Sequence, residues 1–121
     1  MNEALRVCTL RAEREVRRHG AKSLEAASSY NSMAIVYRNL GEHTKALEYY
    51  EKSLRIRLAA LGPEHPSTLD TEYNMAFVYR KQGQRSKARS LFVRCAEGYA
   101  KRYGADHSKT KGARKQAALC D

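Results

Sequence analysis

The sequence predicts an all-α fold, an array of antiparallel helix hairpins with about six helices in 121 residues. Three observations carry this. The chain repeats itself with a period of 42 residues. Apolar residues within each repeat recur at three- and four-residue spacing, the signature of one helix face. Both prolines, Pro63 and Pro66, fall in one short loop, so the rest of the chain is free to form uninterrupted helices.

The repeat is read by sliding the sequence over itself. Met33-Ala34-Ile35-Val36-Tyr37-Arg38 falls on Met75-Ala76-Phe77-Val78-Tyr79-Arg80, Gly41 on Gly83, and Lys45-Ala46 on Lys87-Ala88. Gly62, His65 and Thr68 fall on Gly104, His107 and Thr110. Eleven positions between Tyr30 and Thr68 are identical without a gap.

Taken in order, residues 2–20 form a helix of the second kind in a hairpin, without a partner of the first kind. Its Ala4, Leu5, Cys8, Ala12, Val16 and Gly20 fall on Ala46, Leu47, Tyr50, Leu54, Leu58 and Gly62. The first full repeat covers 26–62. Its first helix carries Met33, Ala34, Tyr37 and Leu40 and stops at Gly41, a residue that readily takes the left-handed C-terminal conformation. Its second helix places Ala46, Tyr50, Ser53, Leu54, Leu58 and Leu61 inward. Gly62 ends that helix, Pro66 suits the first turn of the next, and Ser67 and Thr68 offer polar N-terminal partners.

The second full repeat covers 68–104. Met75, Ala76 and Tyr79 lead to Gly83, and Ala88, Leu91, Phe92, Cys95, Ala96, Tyr99 and Tyr103 line the second helix. Gly98 lies inside that helix at a cost of about 1 kcal/mol relative to Ala, and nothing in the sequence accounts for it. Residues 108–120 begin a further first-type helix, with Ala113, Ala117, Ala118 and Leu119 apolar, and the chain stops within it at Asp121. Two full repeats with a half at each end read as a piece of a longer array, or as a short domain whose exposed ends pair in a homo-oligomer.

The pattern Met-Ala-x-x-Tyr, Gly, Ala-x-x-x-Tyr/Phe resembles the tetratricopeptide repeat. Ala34 and Ala76 hold its small position, Tyr37 and Tyr79 its aromatic, and Ala46 with Tyr50 and Ala88 with Phe92 its partner pair. The 42-residue period and Leu-Gly-Pro-Glu-His-Pro-Ser-Thr-Leu at 61–69 resemble the longer repeats of kinesin light chains. The resemblance implies a right-handed α-solenoid, a single domain over 1–121, and a non-catalytic scaffold or adaptor role; Met1 to Leu5 lack the basic region and apolar stretch of a signal peptide, so a cytoplasmic protein is the expectation. Glu72 departs from it, since an aromatic is usual there, as does the second loop, where Ala105 and Ser108 replace the prolines.

Chemical motifs are sparse. The chain shows no zinc-protease, phosphate-loop or nucleophile-elbow signature, so the reading is of a protein that is no enzyme and carries no cofactor or metal. Cys8, Cys95 and Cys120 have neither disulfide nor metal spacing; Cys8 and Cys95 read as buried apolar residues and Cys120 as exposed. His65 and His107 hold equivalent loop positions and read as structural. No apolar run is long enough to cross a membrane.

Charge is the remaining signal. The net charge is +10 from 23 basic and 13 acidic residues. Between Arg80 and Lys115 lie twelve Lys and Arg against Glu97 and Asp106 alone. The resemblance implies that first helices line a concave groove, at positions occupied by Asn31, Ile35, Arg38 and Asn39, by Tyr73, Phe77, Arg80 and Lys81, and by Lys115. Arginines in register, lysines, an asparagine and an apolar floor suit a short acidic peptide with a hydrophobic side chain. A second reading takes Lys87, Arg94 and Lys101, spaced by seven along the second helix of the second repeat, as an outward stripe for nucleic acid. Base-stacking aromatics are missing from that stripe.

Overall fold

A computed structural model describes residues 3–120. Asn2, where the sequence begins the first helix, and Asp121, where it ends the last, lie outside the described residues. The described chain is six α-helices: α1 Glu3–His19, α2 Leu24–Asn39, α3 His43–Leu61, α4 Pro66–Lys81, α5 Arg85–Tyr103 and α6 Ser108–Ala118. They fall into two compact units, one up to Ala60 and one from Leu61 onward.

The helix starts obey the repeat more closely than the sequence suggested. Ser23, His65 and His107 stand at the same repeat position, and each is the N-cap of a first-type helix. The Ala26 N–H donates to Ser23 Oγ (3.1 Å), the Ser67 N–H to His65 Nδ1 (3.1 Å) and the Lys109 N–H to His107 Nδ1 (3.1 Å). The imidazole therefore stands in for the hydroxyl, satisfying one orphan N–H of the first turn. The side-chain cap is thus His65 itself: Ser67 donates to it through its backbone N–H, and Thr68, expected as an N-terminal partner, is buried with its hydroxyl unpaired. Three residues before each cap, Gly20, Gly62 and Gly104 have φ of 96°, 87° and 95°, a backbone that side chains with a Cβ rarely adopt. His65→Ala should cost about 1 kcal/mol in urea denaturation, and His65→Asn, which keeps an acceptor, much less. Equal losses for the two would contradict the cap.

In the first unit Leu5, Ala12, Ala26, Ala27, Met33, Ala34, Ala46, Tyr50 and Ile56 are buried. Ile56 replaces Leu58 and Leu61 as the buried residue near the end of α3; those two are half-buried. Leu40, expected on the stripe of α2, is an exposed C-cap. Small residues dominate the buried face of α2, which permits close helix approach.

In the second unit Phe92 and Leu69 are fully buried, and Leu69, Cys95, Ala96, Tyr99 and Ala113 pack as one cluster joining α4, α5 and α6. Gly98 acquires its explanation here: a Cβ at this position would stand 2.7 Å from Leu69 Cδ1 and Cδ2. Two expectations are corrected. Tyr103 is exposed: it lies in the last turn of α5, with its ring stacked on His107 at 4.4 Å between centroids and Lys109 Nζ 5.8 Å from its centroid. Cys120 is buried at 5 % exposure, since the turn after α6 folds it inward and leaves Leu119 outside.

Candidate functional site

The face of α4 that carries Tyr73, Phe77 and Arg80 is the most elaborated surface of the second unit. These three residues recur at four- and three-residue spacing, which stacks them along one side of the helix. All three are half-buried. Tyr73 meets Phe77 edge-on at 5.0 Å and Phe92 at 5.4 Å, and Phe77 meets Phe92 at 5.0 Å. The Arg80 guanidinium lies over Phe77 (5.0 Å) and Phe92 (5.5 Å), and its Nη1 donates to Gln116 Oε1 on α6 at 2.7 Å. Stacking and one hydrogen bond fix the group while leaving other N–H donors for a ligand. Lys81 and Lys115 stand exposed on α4 and α6.

Gln116 was not legible in the sequence as a site residue. Its tie to Arg80 spans 36 residues and depends on α4 and α6 lying side by side. Gly112 was missed for the same reason: it sits under the Tyr73 hydroxyl, 3.7 Å from where its Cβ would be.

Electrostatics favour an anion at this face. Within α4 and α6 the acids are Asp70 and Glu72, and both are engaged. Asp70 accepts a short hydrogen bond from the Tyr99 hydroxyl and faces Lys109 Nζ at 3.4 Å. Burial, and then that hydrogen bond, push the Tyr99 hydroxyl well above the usual phenol range. Glu72 is 1 % exposed and pairs with Arg94 Nε at 3.2 Å. Burial raises its carboxyl, with the Arg94 charge opposing. Cys95 donates from Sγ to the Leu69 carbonyl, and burial pushes its thiol up to about 12, so it is no nucleophile.

In the first unit the matching face belongs to α2. Asn31, Ile35 and Arg38 are half-buried and Asn39 is exposed. The Asn31 Oδ1 is buried without a hydrogen-bond partner. Burial raises the Tyr50 hydroxyl and the Arg38 guanidinium opposes it. Arg38 and Tyr50 hold the repeat positions that Arg80 and Phe92 hold in the second unit.

The outward stripe has a different character. Lys87 Nζ lies 4.9 Å from the Tyr79 ring centroid, Arg94 pairs with Glu72, and Lys101 Nζ bonds Glu64 Oε1 at 2.9 Å. Each of its cations has a partner within its own unit. Among the described residues no group of three His, Cys, Asp or Glu side chains is placed to hold a metal ion, and no helix is long and apolar enough to cross a membrane.

The sequence profile of the tetratricopeptide repeat family matches residues 25–101. This chain belongs to the tetratricopeptide repeat family. In that family's terms α2 and α4 are first helices, α3 and α5 their partners, and the candidate residues sit on the first helices. Among solved structures, the nearly identical tetratricopeptide-like repeats named for a kinesin light chain of Podosopora anserina superpose with a TM-score of 0.88 at 22% identity, covering 98% of this chain and 56% of theirs. A point variant of those repeats gives the same values. BtubC (BKLC) from P. vanneervenii gives a TM-score of 0.78 at 14% identity, over 96% of this chain and 52% of its own. The chain therefore spans about half the length of these structures, and shares the fold of the kinesin light chain-like repeats. No curated protein sequence matches it.

Proposed function

We propose that this chain is a non-catalytic scaffold or adaptor module of the cytoplasm whose first-helix faces hold a short acidic peptide segment with an apolar side chain. The tetratricopeptide fold is that of a protein–protein interaction scaffold, and such repeats are typically non-catalytic. The observation that carries the finer reading is the posture of Arg80. Its guanidinium is fixed over Phe77 and Phe92 and tied to Gln116, beside a half-buried aromatic floor and with both acids of α4 already engaged. A fixed guanidinium loses little freedom on forking a carboxylate, and the floor accepts an adjacent apolar side chain. Lys81 and Lys115 add charge, and on α2 Arg38, with Asn31, Ile35 and Asn39, offers the equivalent face. The geometry favours this over the nucleic-acid reading, since Lys87, Arg94 and Lys101 each have an intrachain partner.

A peptide array probed with the wild type and with the Arg38→Glu, Arg80→Glu variant tests it. Acidic peptides should lose about tenfold or more in affinity on the variant, and Arg80→Glu alone should account for much of that. Equal binding of acidic peptides by both proteins would overturn the assignment.

A further inference from the structure

A cavity in the first unit has no part in the face described above. It is a cleft of about 480 Å³ between α1, α2 and α3. Its floor includes Ala12, Val16 and Met33, its wall is Tyr30 and Tyr49, and Arg17, Lys52 and Glu13 stand at its rim. On α2 its residues, Tyr30 and Met33, lie off the side that carries Ile35 and Arg38.

The repeat explains why the cleft exists. Ala12 and Val16 of α1 stand where α3 carries Leu54 and Leu58. Four methyl or methylene groups' worth of filling is thereby absent, by the difference between those side chains, and the space above Tyr30 and Tyr49 stays open. Tyr30 is the aromatic usual at its repeat position, and the repeat does not require the second ring beside it. The positions of Tyr30, Tyr49 and Lys52 are held in the second repeat by Glu72, Leu91 and Arg94, and that repeat forms its helices without an aromatic pair there.

The wall is ordered and charged. Tyr30 and Tyr49 have centroids 6.2 Å apart, and Tyr37 stacks on Tyr49 at 5.4 Å and 10°. Lys52 Nζ stands 5.0 Å from the Tyr49 centroid and 5.5 Å from that of Tyr30. An ammonium and two rings thus converge on one mouth, with Arg17 the second lining cation against Glu13 in the lining, while the Glu48 charge acts on Tyr49 from outside it. A cleft of this volume accommodates a single small ligand. Rings favour a planar aromatic group by offset or edge contact, and two lining cations to one lining acid favour an anion. We propose that this cleft binds a small planar aromatic anion, a free molecule bearing one phosphate or carboxylate on a ring.

Phenyl phosphate titrated into the full chain, followed by amide and side-chain NMR shifts, tests this. Shifts should concentrate on Tyr30, Tyr49 and Lys52. Cyclohexyl phosphate, which keeps the charge and loses the planar ring, and phenol, which keeps the ring and loses the charge, should each bind several-fold more weakly. Tyr49→Leu installs the residue of the second repeat and should weaken phenyl phosphate about tenfold while the fold persists. Lys52→Gln should do the same, and Val16→Leu, which adds bulk at the floor of the cleft, should weaken binding without removing any charge or ring. The Arg38→Glu, Arg80→Glu variant should bind phenyl phosphate unchanged, so failure here and failure of the peptide reading are separable. Absence of shifts at the cleft, equal binding of cyclohexyl phosphate, or indifference to both Tyr49→Leu and Lys52→Gln overturns the proposal.

Discussion

Gly98→Ala is expected to destabilise the chain by about 1–2 kcal/mol, although helix propensity alone forecasts a gain of about 1 kcal/mol at a mid-helix glycine. The reversal comes from one contact. The added Cβ would stand 2.7 Å from both terminal carbons of Leu69, which is itself 1 % exposed and packed against Cys95, Ala96, Tyr99 and Ala113. Leu69 must shift within a dense cluster to admit the methyl group. The two sites are therefore coupled, and the coupling gives a sharp test. Leu69→Ala alone should cost about 2–5 kcal/mol. In that background Gly98→Ala should become stabilising, because the clash is gone and the propensity gain remains. Chemical denaturation of the four proteins reads this directly. A Gly98→Ala variant as stable as the wild type, or an unchanged sign in the Leu69→Ala background, removes the packing explanation for the glycine.

Glu72→Gln is expected to stabilise the chain at pH 7 by roughly 1–2 kcal/mol. Glu72 is buried, one of its oxygens lacks a hydrogen-bond partner, and Arg94, its opposing charge, is 55 % exposed. Burial therefore outweighs the pairing, and the folded-state pKa is raised above the ordinary carboxylate value. A raised acid binds its proton more tightly in the folded state than in the unfolded one. The cost of keeping it charged is fully present above the folded pKa, and falls as pH drops through that value toward the unfolded one. The advantage of the glutamine should accordingly shrink on acidification from neutral and vanish below the ordinary carboxylate range. Melting temperatures of wild type and variant between pH 7 and pH 4 check this. A variant less stable than the wild type at pH 7 would show that the ion pair with Arg94 dominates. Arg94→Ala should be destabilising, and less so when Glu72 is already glutamine, because the uncompensated charge is then absent.

Much of the fold was legible because its determinants are local and recur. Tyr37 follows Met33 and Ala34, and Tyr79 follows Met75 and Ala76, by about one helical turn, so spacing alone reports the helix and its buried side. Gly41 and Gly83 end first helices at positive φ, as their register implied. The N-caps were half legible: the recurrence of His65 and His107 marked a boundary, yet a histidine is an uncommon cap. Its Nδ1 accepting from the first turn emerged only when the loop backbone was in place.

What periodicity could not supply was partnership between distant residues. Lys87, Arg94 and Lys101 are a regular stripe by sequence, but their partners Tyr79, Glu72 and Glu64 lie on other elements or earlier in the fold. Tyr103 continued the apolar pattern of α5, yet pattern carries no information about which neighbours cover the last turn of a helix.

By itself, then, the sequence determined the number, phase and kind of helices in this protein, since a helix face depends only on spacing within one segment. The tertiary structure alone decided that Arg80 is fixed against Gln116, that Gly98 makes room for Leu69, and that Ala12 and Val16 leave a cleft beside Tyr30 and Tyr49. Each of these depends on which side chain a packed neighbour presents at a distance of a few ångströms, and that is a property of how the helices are brought together.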